Sequence, residues 1–143
     1  MENVKVVYWS GTGNTEAMAY YVAEGAKEGG AQAETISVES VDSAALLSDK
    51  CFALGCPSMG AEELEESTME PFVAEIEGKV AGKQIVLFGS YGWGDGEWMR
   101  NWVERMEAAG ATIIGGEGII ANASPDEDAI AQLKAAGKQL AAL

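Results

Sequence analysis

The chain has 143 residues, of which 9 are basic and 23 acidic, and with no histidine its formal net charge is −14. This length fits one domain with its own core, so a single domain is predicted over residues 1–143. The strong negative charge argues against nucleic-acid and anionic-membrane partners, and it favours partner proteins that carry basic patches.

The first apolar run, at 4–9, joins a helical pattern through the segment 10–15, whose sequence is Ser-Gly-Thr-Gly-Asn-Thr. Free N–H groups at a helix N-terminus and two flexible glycines form a site for an anion. No Lys or Arg occurs between Lys5 and Lys27, and the lysine-containing loop of nucleoside triphosphatases is absent. The junction therefore predicts a site for a phosphate monoester rather than for a nucleotide undergoing hydrolysis.

Strands and helices alternate along the rest of the chain. Further strands are predicted at 35–38, 51–56, 84–89 and 111–120, and helices at 15–26, 41–47, 67–76, 98–106 and 124–140. Ser67 with Glu70 forms a capping-box pattern for the third helix, and Ser124 is the predicted cap of the last. The Trp and Met stripe of the helix at 98–106 is interpreted as core packing.

The apolar character of the strands predicts their places in a sheet. The runs 51–56 and 84–89 are apolar throughout, which is typical of central strands, and the polar run 35–38 fits an edge. Parallel strands joined by helices predict a three-layer, doubly wound α/β fold with a five-stranded parallel sheet.

The two cysteines, Cys51 and Cys56, lie five positions apart in one apolar run. An extended strand points them to opposite faces, which argues against a disulfide and favours two buried thiols. No apolar run approaches membrane length, and no basic and apolar signal segment precedes the first strand. These observations predict a cytoplasmic location.

Ligands of such sheets bind at the carboxyl ends of the strands, where three loops of this chain follow strands. The loop at 57–62 carries Met59, and the loop at 90–96 carries Trp93 between two glycines, with Tyr91 two residues before it. A loop tryptophan often packs over a strand end. Here the flanking glycines leave space on both sides, which favours a large planar ligand against its ring.

Three motifs carry a resemblance to a known family: Tyr8-Trp9-Ser10-Gly11-Thr12-Gly13-Asn14-Thr15, Gly55-Cys56-Pro57-Ser58-Met59-Gly60 and Gly89-Ser90-Tyr91-Gly92-Trp93-Gly94. Over its whole length the chain resembles a short-chain flavodoxin, most like those of anaerobic clostridia-like bacteria. The resemblance implies strand order 2-1-3-4-5 and non-covalent FMN. It also implies a low-potential one-electron carrier between redox proteins, working mainly through the semiquinone/hydroquinone couple, and not an enzyme.

The resemblance also implies roles for particular residues. Segment 10–15 and Ser90 would bind the phosphate. Met59 would cover the inner face of the ring, Trp93 would stack on the outer face, and Glu62 would accept a hydrogen bond from the flavin N3–H. The full implied set is Ser10, Gly11, Thr12, Gly13, Asn14, Thr15, Ser58, Met59, Gly60, Ala61, Glu62, Ser90, Tyr91, Gly92, Trp93, Gly94, Asp95 and Asn122.

In the family, the peptide that is Gly60–Ala61 here rotates when the flavin takes up one electron. The rotated peptide is expected to need a positive φ at Ala61, which costs a non-glycine residue about 1–2 kcal/mol and lowers the first reduction potential. Five carboxylates near the ring are expected to repel the negative charge of the fully reduced flavin and so to lower the second reduction potential: Glu62, Glu63, Glu65, Glu66 and Asp95.

Three other functions are alternatives to that of an electron carrier. An FMN-dependent NAD(P)H quinone or nitro-compound reductase is the main alternative. Met59 and Trp93 are expected to cover both ring faces, however, and no basic or histidine residue is expected near the site to bind a nicotinamide phosphate. A receiver domain lacks its acidic cluster here, and a small phosphatase lacks its arginine. The predicted partners are redox proteins with basic docking patches, of the ferredoxin-type class, and the predicted state is a monomer.

Overall fold

The computed structural model describes all residues, Met1–Leu143. The strands are β1 (Asn3–Tyr8), β2 (Gln32–Ser37), β3 (Cys51–Gly55), β4 (Gln84–Tyr91), β5 (Thr112–Ile113) and β6 (Ile119–Asn122). The α-helices are α1 (Asn14–Glu28), α2 (Ser43–Leu47), α3 (Met69–Ile76), α4 (Glu97–Ala108) and α5 (Glu127–Ala141), and a 3₁₀ turn (Glu77–Lys79) follows α3.

All strand pairs are parallel and follow the order β2-β1-β3-β4-β5, which confirms the expected topology. Every residue of β3 is buried, as its continuous apolar sequence predicts for a central strand. The polar strand β2 lies at the edge and is largely exposed. This order reverses between β1 and β3, so the loops after these two strands diverge and leave room for a ligand.

The fifth position of the sheet differs from the sequence prediction. The run 111–120 is not one strand, because residues 114–118 leave the sheet between β5 and β6. Both segments pair with β4, β5 at Gln84 and Ile85 and β6 from Phe88 onward. Gly115 and Gly116 have φ values of 84° and 77°, which no regular strand contains, so the chain turns out of the ladder and returns to it.

Each face of the sheet carries its own apolar cluster. One cluster contains Phe52, Leu54 and Cys56 with residues of α3 and α4, including the buried Trp98 and Trp102, so the Trp and Met stripe does pack in the core. The other contains Cys51 with residues of α1 and α5. The two thiols are thus free, buried and on opposite faces, as predicted. None of the helices has the length and apolarity needed to cross a membrane.

Both predicted helix caps are wrong, although the helices exist. Helix α3 begins at Met69, and the carboxylate of Glu65 accepts its first N–H groups, so Ser67 and Glu70 form no capping box. Helix α5 begins at Glu127 with Asp126 as its cap, whose Oδ1 accepts the N–H of Ala129 at 2.9 Å. In both places a nearby carboxylate, a stronger acceptor than a hydroxyl, bonds the free donors.

Candidate functional site

Three loops meet at the carboxyl edge of the sheet, after β1, β3 and β4. One cavity of about 270 Å³ is lined by residues of all three loops and of the segment after β6. Its lining residues are Trp9, Gly11, Thr12, Asn14, Pro57, Ser58, Met59, Ser90, Tyr91, Gly92 and Ala123. The structure therefore brings together the segments that the sequence pattern singles out. The largest cavity, about 540 Å³, lies elsewhere, against α4 and residues 116–118.

The first loop presents backbone donors that the protein does not use. Gly13 adopts a φ of 97°, and its N–H donates to Ser10 Oγ at 3.1 Å. The N–H groups of Gly11, Thr12, Asn14 and Thr15 donate to no protein acceptor. A loop with converging free N–H groups before a helix is suited to a phosphate group.

The floor of this loop is tied to the end of β4. Thr15 and Ser90 are both buried, and the N–H of Ser90 donates to Thr15 Oγ1 at 3.3 Å, while their hydroxyls lie 3.4 Å apart. Trp9 supports the loop from the other side, since a Cβ placed on Gly11 would lie 3.1 Å from its indole ring. These contacts fix the first loop beside the third.

Helix α1 differs from every other α-helix at its N-terminus. Carboxylates of the protein accept the first N–H groups of the others, with Asp42 on α2, Glu65 on α3, Glu62 on α4 and Asp126 on α5. Helix α1 has no side-chain cap. The positive end of its dipole is therefore directed at the cavity without a protein anion in front of it.

The second loop forms a short, closed turn. Met59 and Glu63 exchange both backbone hydrogen bonds, at 2.9 and 2.8 Å, and the turn between them contains Gly60 and Glu62, whose φ values are 53° and 56°. Ala61, between them, does not have a positive φ. The side chain of Met59 is 36% exposed, which is unusual for this residue and leaves its thioether available to a ligand.

Glu62 connects the second loop to the third. Its Oε1 accepts the N–H groups of Gly96 and Glu97 at 3.3 and 3.2 Å, at the start of α4. A Cβ on Gly94 would lie 2.5 Å from the Glu62 carboxyl group, so only glycine permits this approach. The second oxygen, Oε2, accepts no hydrogen bond from the protein and remains available as an acceptor.

The third loop leaves Trp93 with 64% of its surface exposed, so its ring does not pack down over the strand end. Tyr91 instead turns inward against Trp98, with ring centroids 5.8 Å apart. Asp95 is paired with Arg100 at 3.0 Å, and both side chains are exposed. Arg100 is thus a basic residue beside one predicted site residue, but its guanidinium is bonded to Asp95 and it does not line the 270 Å³ cavity. It partly offsets the charge of Asp95.

Three cavity residues were missed in the sequence, and ten of the eighteen predicted residues are not among those that line the cavity: Ser10, Gly13, Thr15, Gly60, Ala61, Glu62, Trp93, Gly94, Asp95 and Asn122. Trp9, Pro57 and Ala123 line it, whereas Asn122 is exposed and does not. Trp9 and Pro57 directly flank the predicted loops, so their position in the motifs was an available signal. Ala123 has a φ of 56°, and an alanine in the sequence gives no signal of this left-handed conformation.

The charged side chains beside the second loop are of two kinds. Glu63 and Glu66 are exposed, whereas Glu65 is buried. Burial alone would raise the pKa of Glu65, but hydrogen bonds from the Ser67 hydroxyl and from the N–H groups of Met69, Thr68 and Ser67 outweigh it and bring the pKa below its ordinary value. The second loop therefore remains anionic at neutral pH.

The residues present fit a ligand with a phosphate at one end and a flat aromatic system at the other. Free backbone donors occupy the end formed by the first loop, where no protein cation is present. Two exposed, polarizable side chains, Met59 and Trp93, lie on the other two loops with the free Oε2 of Glu62. These groups suit the phosphate, the flat ring and the ring N–H of FMN.

Comparison with known proteins agrees with this geometry. The family model described as flavodoxin matches residues 6–136. The flavodoxin of Clostridium beijerinckii is 51% identical over 124 residues, covering 87% of this chain and 89% of that protein, and that of Megasphaera elsdenii is 50% identical over 123 residues, covering 86% and 88%. The solution structure of the two-electron reduced Megasphaera elsdenii flavodoxin superposes with a TM-score of 0.87 at 45% identity, covering 95% of this chain and 98% of that one. The chain belongs to the flavodoxin family of FMN-binding electron carriers.

Proposed function

We propose that this chain, acting as one domain over residues 1–143, holds FMN with its phosphate on segment 10–15 and its ring between Met59 and Trp93. The observation that carries this placement is the set of unused N–H groups at Gly11, Thr12, Asn14 and Thr15, at the one α-helix without a carboxylate cap. The hydroxyls of Ser10, Thr12 and Thr15 supplement these donors. Ser90 supports the phosphate end through its bonds to Thr15.

At the ring end, Glu62 Oε2 would accept the flavin N3–H while Oε1 stays on α4. The backbone of the turn and of the third loop would line the ring edge and the ribityl chain, through Ser58, Gly60, Ala61, Tyr91, Gly92, Gly94 and Asp95. Asn122 pairs in the ladder with Tyr91 and would act from the rim. Met59 and Trp93 would exclude water from the two faces of the ring.

Bound FMN supplies one-electron chemistry, and this chain's residues set how favourable each electron is. Exposed carboxylates at Glu63 and Glu66 would oppose negative charge on the ring, as would the phosphate without a cation beside it. Arg100 weakens the contribution of Asp95. The arrangement favours a carrier with a low second reduction potential.

The electron partners would be redox proteins with basic docking patches, since the chain carries 23 acidic and 9 basic side chains. Association should therefore weaken as the salt concentration rises. We further propose that the protein works as a monomer in the cytoplasm, where its two buried thiols would stay reduced. Size-exclusion chromatography and localisation of a tagged chain test these two statements.

The central experiment is titration of the purified protein with FMN and with riboflavin. We expect one FMN per chain, with riboflavin much weaker because it lacks the phosphate. Trp93→Ala should weaken FMN binding about tenfold through lost stacking, whereas Tyr20→Ala, an exposed aromatic on α1, should not. Equal affinities for FMN and riboflavin would contradict the placement of the phosphate.

The reductase alternative is tested by mixing the FMN-loaded protein with NADH or NADPH. A carrier keeps its flavin oxidised on the timescale of minutes until a reductase protein is added. Rapid bleaching of the flavin without such a protein would favour the enzyme.

A further inference from the structure

Glu65 is the one buried acidic side chain among the 23 of this protein, with only 4% of its surface exposed. It forms no ion pair, so no cation offsets its charge. A buried carboxylate is costly unless hydrogen bonds replace its water. An ordinary surface role therefore does not account for Glu65.

Backbone donors and one hydroxyl satisfy this carboxylate. Its Oε1 accepts the N–H of Ser67 at 2.8 Å and also the Ser67 hydroxyl, and its Oε2 accepts the N–H groups of Thr68 and Met69 at 2.9 and 3.0 Å. These are donors at the start of α3 that no intrahelical bond could use. The side chain thus fixes the path of the chain from Glu65 into α3.

The main chain of Glu65 is fixed as firmly as its side chain. Its N–H donates to Cys56 Sγ at 3.4 Å, and its carbonyl accepts the N–H of Glu70 at 2.8 Å. Cys56 is itself held at the end of β3, since its carbonyl accepts the indole N–H of Trp98 at 3.0 Å. Glu65 therefore joins the strand that enters the second loop to the helix that leaves it.

The turn that faces the proposed flavin ring lies between two segments that these hydrogen bonds fix, Cys56 at the end of β3 and Glu65 before α3. Ser58 donates its N–H to the carbonyl of Ser90 at 2.9 Å, and Met59 pairs with Glu63 only two residues before Glu65. Within this segment Gly60, Ala61, Glu62 and Leu64 have no backbone hydrogen bond, and Met59 and Glu63 bond only each other. The turn is therefore joined to Glu65 along the chain through Leu64, so a shift at Glu65 is expected to displace it.

We propose that Glu65 is a positioning residue for the flavin: its buried carboxylate, bonded to the N-terminus of α3, holds the Met59–Glu63 turn at the height where Met59 and Glu62 meet the ring. The inference rests on the proposed placement of FMN, since it concerns how that site is held in shape. Glu65 does not line the 270 Å³ cavity, but it lines a neighbouring cavity together with Trp9 and Met59.

The test compares Glu65→Gln with Glu66→Gln, because both remove one negative charge from adjacent positions and only Glu65 is buried. An amide at position 65 keeps the size of the side chain but turns an NH₂ group toward backbone donors. In Glu65→Gln we expect the FMN dissociation constant to rise about tenfold, and in Glu66→Gln less than twofold.

Two further readouts separate positioning from charge and from general stability. The first reduction potential of bound FMN should fall in Glu65→Gln relative to Glu66→Gln, since a displaced turn supports the reduced ring less well. Hydrogen exchange of the Ser67, Thr68 and Met69 amides, measured without FMN, should become faster in Glu65→Gln alone. Equal FMN affinities and equal potentials in the two variants would overturn the proposal.

Ser67→Ala provides a milder change if Glu65→Gln does not fold. It removes only the hydroxyl bond to Glu65 and leaves the N–H bonds in place. FMN affinity should fall about twofold to threefold, and an unchanged affinity would overturn the proposal. If the wild-type chain itself binds no FMN, the proposed function fails, whereas exchange at Ser67, Thr68 and Met69 still reports whether Glu65 anchors the loop.

Discussion

The proposed phosphate end and the proposed ring end of the site differ in how their helix N-termini are bonded. At the phosphate end, the N-terminus of α1 has no side-chain cap, and its first N–H groups are free. At the ring end, the N-termini of α3 and α4 are closed by Glu65 and Glu62 from the second loop. A helix N-terminus binds whatever anion lies nearest, so an anion from the ligand is accepted only where the protein provides none.

With the proposed placement of FMN, this contrast would also explain how a chain of net charge −14 could hold a phosphate without a neighbouring cation. Two acidic side chains of the second loop, Glu65 and Glu62, accept hydrogen bonds from the N-termini of α3 and α4, and these bonds fix that loop in place. The first loop contains no acidic side chain at 10–15, and Glu16, which follows it in the first turn of α1, accepts a hydrogen bond from the Tyr8 hydroxyl. The positions of the acidic side chains, more than the net charge of the chain, therefore determine whether a helix N-terminus bonds a carboxylate of the protein or is free for an anion of the ligand.

The most direct way to break the contrast is to give α1 a cap of its own. Thr12→Asp places a carboxylate beside the free N–H groups, where it would compete with the phosphate and repel it. We expect the FMN dissociation constant to rise about a hundredfold, as for like charges at contact distance near a protein surface. Isothermal titration with FMN measures the change.

Thr12→Asn is the matched control, because it has the same shape without the charge. Its FMN affinity should stay within about fivefold of wild type. Riboflavin, which has no phosphate, should bind Thr12→Asp and wild type alike. Equal FMN affinities for the Asp and Asn variants would contradict the assigned position of the phosphate.

The carboxylate on α3 should make the ring end sensitive to acid. The pKa of Glu65 lies below its ordinary value of 4.5, so its stabilising effect is complete above that pH and is lost as the pH falls through the lowered pKa. Urea unfolding should show Glu65→Gln less stable than wild type by about 2 kcal/mol above pH 5. The difference should shrink steadily below pH 4.5, and a difference independent of pH would be inconsistent with an ionised Glu65.

The carboxylate on α4 tests the same idea at a more exposed position. Glu62→Gln should lower the free energy of unfolding by about 1 kcal/mol, because it weakens the bonds to the N–H groups of Gly96 and Glu97. Glu63→Gln, an exposed neighbour with no side-chain partner, should change stability by less than about 0.5 kcal/mol. Urea unfolding without FMN gives both values, and equal losses would show that Glu62 does not cap α4.

The smallest expected effect concerns the backbone of the turn. Ala61 does not have a positive φ in this structure, and the rotated Gly60–Ala61 peptide is expected to need one. Ala61→Gly should remove a cost of about 1 kcal/mol from that rotation and raise the first reduction potential by roughly 40 mV. Potentiometric titration would reveal no shift, or a fall, if the peptide does not rotate in this way.

Ala123→Gly is the control for this backbone argument. Ala123 already has a φ of 56° beside the cavity, so glycine should relieve strain there and stabilise the folded chain by about 1 kcal/mol. It should shift the first reduction potential less than Ala61→Gly does, because residue 123 lines the cavity but lies outside the rotating peptide. A parallel shift in both variants would mean that the potential follows stability rather than the turn.

Much of the fold and site could be predicted from local sequence. The apolar runs of β3 and β4, the glycine-rich first loop and the exposed Trp93 all lie where their patterns indicate, because burial and backbone freedom leave clear local signals. The helix caps could not be predicted as well. Glu65 and Glu62 reach the N–H groups at the starts of α3 and α4 only because the second loop folds back. The Ser67 and Glu70 pattern predicted a capping box that does not form.

The sequence by itself determined the alternation of strands and helices, the opposite faces of Cys51 and Cys56, and the three loops that meet at one edge. These depend on residue type and period, which act over a few neighbouring positions. Only the tertiary structure decided the division of the fifth strand, the pairing of Asp95 with Arg100, and which helix N-termini receive a carboxylate of the protein. Such hydrogen bonds depend on distances between parts of the chain that folding alone brings together, and they leave the first N–H groups of α1 without a protein acceptor.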